Sequence, residues 1–78
     1  MTNVTKQQIR RTPSGDYYMV IYIDHRIDPE NDSCIILDTN GVLRKELSKV
    51  VDTWTLISDP NAGPHKCDLF LKEVFENL

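Results

Sequence analysis

The chain has 78 residues, 40% apolar and 27% charged, with nine Lys or Arg against twelve Asp or Glu and a net charge of −3. A chain this short buries only about 60–65% of its unfolded surface, which allows one thin core over residues 1–78 and excludes a two-lobed enzyme cleft. No uncharged run approaches the roughly 20 residues needed to cross a bilayer, and the acidic balance runs against a nucleic-acid domain.

Taken in order, Val4–Thr12 is polar around Ile9 and reads as an edge strand. Pro13-Ser14-Gly15-Asp16 has turn composition, because proline presets φ, glycine accepts positive φ, and Ser and Asp bond their own backbone. If Thr12 pairs with Tyr17 across that turn, Arg11 faces Tyr18 and Gln7 faces Tyr22. Tyr17–Ile23 is apolar at alternate and intervening positions, as expected of a central strand covered on both faces. Residues 24–33 hold four acids with Ile27 their only aliphatic side chain, which makes the segment a loop. Cys34–Asp38 is an apolar strand, and Asn40-Gly41 suits a type I′ hairpin leading into a return strand at Val42–Glu46.

Two readings compete beyond that point. Leu43, Leu47, Val50, Val51 and Trp54 form a helical stripe, whereas Val50–Ile57 is dense in β-branched and aromatic residues. Meandering strands are the first choice, with a helix over 43–51 followed by a strand at 54–58 as the alternative. Residues 58–63 form a loop. A helix then starts at Pro64 and carries Cys67, Phe70, Leu71, Val74, Phe75 and Leu78 on one face, a stripe that needs the sheet to dock on. The expected fold is α+β: a small antiparallel sheet of four or five strands, meander-like, packed against one C-terminal helix.

Reactive constellations are scarce. His65 and Cys67 could pair as base and nucleophile, but Cys67 belongs to the apolar stripe and no third group orients the pair. His25, Cys34, His65 and Cys67 lack zinc spacing. Asp28, Glu30 and Asp32 alternate as in a calcium loop, yet Ser33 and Thr39 stand where glycine and a bidentate glutamate are required. Gly63-Pro64-His65-Lys66 lacks the remainder of a phosphate loop. The expectation is therefore a non-enzymatic chain with no cofactor and no metal. With no export signal at its N-terminus, it is expected in the cytoplasm, its two cysteines reduced.

What the pattern favours is binding to a macromolecule. Residues 1–11 carry +3 from Lys6, Arg10 and Arg11, whereas residues 12–41 oppose six acids to Arg26 alone. Tyr and Arg dominate interface energies, and an aliphatic side chain among acids suits a partner's pocket. The candidate contact residues are Arg10, Arg11, Tyr18, Tyr22, Asp24, Arg26, Ile27 and Asp28. They describe a protein-binding module, of the size common among accessory or inhibitory factors, including those of phages, that occludes or tethers a protein partner. The alternative is single-stranded nucleic acid stacked on an Arg/Tyr sheet face. The edge at Val4–Thr12 also allows two copies to pair as a homodimer.

Overall fold

A computed structural model describes residues 3–60 and 73–77. Its strands are β1 (Ile9–Arg11), β2 (Tyr17–Asp24), β3 (Ser33–Asp38), β4 (Leu43–Leu47) and β5 (Thr55–Ser58), with a short helix α1 (Ser48–Val51) between the last two. Residues 73–76 form a second short helix, α2, in which Phe75 is buried. The five strands make one antiparallel sheet in the order β4-β3-β2-β1-β5, a small α+β fold. The expected helix face at Cys67, Phe70, Leu71 and Leu78, with its start at Pro64, lies outside the described residues.

β1 to β4 form the anticipated meander, but β5 does not continue it. It returns to the far side and pairs with β1. Hence β1 is shorter than 4–12 and is not an edge, and the homodimer expected through that edge has no free strand to use. Both readings of residues 43–57 are partly right. Leu43–Leu47 is extended, and the helix is confined to Ser48–Val51. The β-branched Val50 and Val51 are poor helix formers, yet Val51 is fully buried and its packing overrides propensity.

Both hairpins of the meander use one turn design. Thr12 N–H donates to Asp16 O and Gly15 N–H to Thr12 O, each at 2.9 Å, while Asp38 N–H donates to Val42 O at 3.0 Å and Gly41 N–H to Asp38 O at 3.1 Å. In each turn the third loop residue is a glycine with positive φ, +98° at Gly15 and +82° at Gly41, which is a type I turn with a G1 bulge. Asn40 does not take positive φ, so the expected type I′ turn is absent. The side chain of the first residue completes each turn. Thr12 Oγ1 accepts Asp16 N–H, and Asp38 Oδ1 accepts the N–H groups of Asn40 and Val42.

This turn shifts the first hairpin by one residue from the expected pairing. Arg11 lies opposite Tyr17, Arg10 opposite Tyr18, and Ile9 opposite Met19. A one-residue slip exchanges the two faces of a strand, so Arg10 and not Arg11 shares a face with Tyr18. A bulge in β2, where Val20 pairs Ile36 and Tyr22 pairs Ile35, exchanges the faces again beyond Ile21. The core cluster accordingly takes Val20 and then Ile23 from β2, with Val4, Cys34, Ile36 and Val51 and the flanking Tyr18 and Trp54. The strand is not covered along its whole length: Ile21 and Tyr22 are exposed.

The polar centre of the fold is Arg10, only 4% exposed. Its guanidinium donates to Gln8 Oε1 at 3.1 Å, to the carbonyls of Trp54 (3.1 Å), Asp52 (3.2 Å) and Asn3 (3.4 Å), and lies 3.8 Å from the Asp52 carboxylate. Gln8 is buried beside it, donating to Asn3 O and Asp59 Oδ2 and accepting Thr5 N–H. The pair thus joins the N-terminal segment, the α1–β5 connection and the residue after β5. Gln7, with φ of +69°, lets the chain bulge so that Gln7 N–H donates to Val20 O and Val20 N–H to Gln8 O.

Replacing Arg10 by Met keeps the aliphatic stem but strands several buried acceptors, at a cost of about 3 kcal/mol or more. Thermal unfolding should show a fall in melting temperature of more than roughly 10 °C; an unchanged midpoint would refute the assignment. No heavy atom lies within 4 Å of a methyl placed on Gly41. Gly41→Ala therefore isolates the cost of positive φ, about 1–2 kcal/mol, and urea titration should show the midpoint falling with an unchanged slope.

Candidate protein-binding surface

The β2–β3 connection, acidic and nearly devoid of aliphatic side chains, is held by its own acids. Asp28 caps a single 3-10 turn (Pro29–Asn31), its carboxylate accepting Glu30 N–H at 3.2 Å. Asp32, buried at the end of that turn, accepts Arg26 N–H on Oδ1 at 2.7 Å and has Oδ2 3.1 Å from His25 Nδ1. Asp32 O in turn accepts Ser48 N–H at 2.8 Å, fixing the connection to α1. The hydrogen bond from the Arg26 backbone, assisted by His25 and opposed by desolvation, holds the Asp32 carboxyl below the usual carboxylate range. The carboxylates of Asp28 and Asp32 thus accept different backbone N–H groups of the connection.

At the apex of this connection stands Ile27, 106% exposed. It does not fold back over the core. With Arg26, Asp28 and Asn31 it lines an open hollow of about 600 Å³. Arg26 forms an ion pair with Asp24 at 2.9 Å, so the cation beside Ile27 is steadied by the last residue of β2. A second hollow of about 310 Å³ lies between Tyr22, Asp24, Ser33, Ile35 and Lys45. Tyr22, 55% exposed, and Asp24 therefore border both the connection and the open part of the sheet.

The other expected contact residues do not join this surface. Arg10 is buried and engaged, as described, and cannot serve as a contact residue. Arg11 is exposed with its guanidinium carbon 5.7 Å from the centre of the Tyr17 ring, on the face opposite Tyr18. Tyr18 is half-buried against Trp54, with ring centroids 5.4 Å apart. The Arg11–Tyr18 platform on which nucleotide bases would stack is thus not assembled, because the hairpin register puts the two side chains on opposite faces.

Sequence reasoning missed the roles of Trp54, His25 and Asp32. Trp54 walls a hollow of about 450 Å³ with Tyr18, over Ile36 and beside Arg44 and Glu46; a lone tryptophan in an ambiguous segment gave no hint of its partner. His25 and Asp32 act as the scaffold of the connection, and the acid next to a strand start was the available signal for a capping role. Cys34, the described thiol, is free and buried, and burial pushes its pKa up, an effect only partly offset by the neighbouring Ser48 hydroxyl.

Since the folded-state pKa of Asp32 lies below its unfolded value, the stability it contributes is fully present above about pH 4 and is lost as pH falls through the folded value. Hydrogen-exchange protection of the Arg26 amide should be retained at pH 5 and lost toward pH 2, and Asp32→Ala should remove it at neutral pH; protection in that variant equal to wild type would contradict the assignment. Among the described residues no helix is long and apolar enough to cross a membrane. The chain matches no family model, no curated protein and no solved structure in the comparisons made, so its own residues carry the functional reading.

Proposed function

We propose that the chain is a non-enzymatic protein-binding module that docks on its partner through Ile27 and occludes or tethers it. One observation carries this reading: a fully exposed isoleucine stands on a connection whose backbone is pinned by the buried Asp32 carboxylate. An aliphatic side chain held out in water has no folding role there, and burying it in a partner's pocket is worth about 1.5–3 kcal/mol. Because the connection is already ordered, little of that gain is spent on immobilising it.

The surroundings support an interface with a basic or mixed-charge partner. Asp24, Asp28 and Glu30 flank the anchor, Arg26 supplies a single cation, and Tyr22 adds an exposed aromatic surface nearby. Such charges steer approach and set orientation, while the apolar centre provides the affinity. A reactive-thiol alternative is disfavoured at Cys34 by its burial and raised pKa; Cys67 lies outside the described residues.

Immobilised wild-type protein should retain a stoichiometric protein from the lysate of its source cell. Ile27→Asp should lose that protein while melting at the wild-type temperature, because the side chain touches nothing in the folded chain. Capture that is indifferent to Ile27, or repeated failure to capture any protein, would refute the proposal.

A further inference from the structure

The sheet has a free edge that the sequence did not single out. β4 pairs with β3 alone, so one side of its backbone is unpaired among the described strands. Which residues face that side follows from the turn. Asp38 N–H donates to Val42 O, which makes them a bonded pair at the turn, and in an antiparallel ladder bonded and non-bonded pairs alternate. Arg44 and Glu46 therefore bond to β3, whereas Leu43 and Lys45 direct both N–H and C=O outward and Leu47 directs its N–H outward, its C=O serving the first turn of α1 as N-cap. The Leu47 amide agrees with this, since it donates to the carboxylate of its neighbour Glu46, at 3.1 Å, and not to β3.

The side chains along this edge read Leu43-Arg44-Lys45-Glu46-Leu47, and the pattern is self-complementary about its centre. Leu43 is 61% and Leu47 39% exposed, and both lie on the face away from the core cluster. Arg44 and Glu46 lie on the core side, beside Trp54 and Tyr18. We propose that β4 is the dimerisation edge of this protein, its occupant a second copy of the chain paired antiparallel about a two-fold axis at Lys45. In that register the outward C=O of Leu43 accepts the N–H of the partner's Leu47, which exchanges the Glu46 carboxylate for it, and the N–H and C=O of Lys45 meet those of its own counterpart. The Lys45 pair exchanges both bonds, and each Leu43–Leu47 pair contributes one. Arg44 then stands opposite the partner's Glu46 in a non-bonded pair, where side chains approach most closely.

The symmetry makes each favourable pair occur twice: two Arg–Glu pairs on one face and two Leu–Leu pairs on the other. The joined edges form one continuous sheet. Lys45 opposes the arrangement, because like charges meet at the axis and an edge lysine discourages pairing. It sets a modest affinity. The interface uses neither Ile27 nor its connection, so it is independent of the partner-binding reading.

Sedimentation equilibrium of the purified chain, from about 5 µM to 1 mM, should show a reversible monomer–dimer equilibrium. Arg44→Glu and Glu46→Arg, each placing like charges face to face twice, should each weaken it by at least about tenfold. An equimolar mixture of the two variants should recover the dimer as a heterodimer, since each altered residue then meets an opposite charge. Lys45→Pro should abolish pairing without unfolding the monomer, because the amide it removes points away from β3, and Lys45→Val should tighten the dimer. A wild-type chain that stays monomeric throughout, a dimer indifferent to the single variants, or a mixture that fails to associate where wild type does would each overturn the proposal.

Discussion

The arrangement of this chain depends on one buried cation. Among the described residues the apolar cluster is built on Val4, Val20, Cys34, Ile36 and Val51, and the N-terminal segment, α1 and β5 are joined around it by polar ties. Arg10 supplies them by donating to three carbonyls on two separate stretches, the N-terminal segment and the α1–β5 connection, and Gln8 extends the ties to Asp59 after β5. A guanidinium suits the task because its donors form a planar fork and because it keeps its charge when buried. The desolvation cost is met by full occupancy: each direction of the fork finds an oxygen.

Two small backbone irregularities then decide what the sheet presents. The three-residue turn before β2 sets which of Arg10 and Arg11 turns inward, and the bulge at Ile21 sets which of Tyr22 and Ile23 does. Each is a shift of one residue with the effect of a face exchange. Together they send Tyr18 against Trp54, leave Tyr22 in solvent, and separate Arg11 from the tyrosine it was expected to join.

The surface that results has two distinct resources. One is a rigid connection that presents a single aliphatic residue, its order maintained by the internal acid Asp32 and not by a core of its own. The other is an edge strand with charges of opposite sign at mirrored positions. They lie on different elements and make different demands of a partner, an apolar pocket in one case and an extended strand in the other. The two proposed contacts therefore do not compete for the same atoms.

Much of the fold was legible because local patterns were strong: the uninterrupted apolar run of β2, the glycine-bearing turns at 12–16 and 38–42, and the aliphatic poverty of the β2–β3 connection each follow from properties of adjacent residues. Ile27 was visible for the same reason, as the lone aliphatic in its segment. The partnership of β1 with β5, the burial of Arg10 and the stacking of Tyr18 on Trp54 join residues some forty positions apart, and no local periodicity encodes such a pairing. The sequence by itself thus determined where strands and turns form, since propensity and turn chemistry act over a few residues. Only the tertiary structure decided which side chains face water, because facing depends on register, and register is set by bulges and long-range pairing that a shift of one residue reverses.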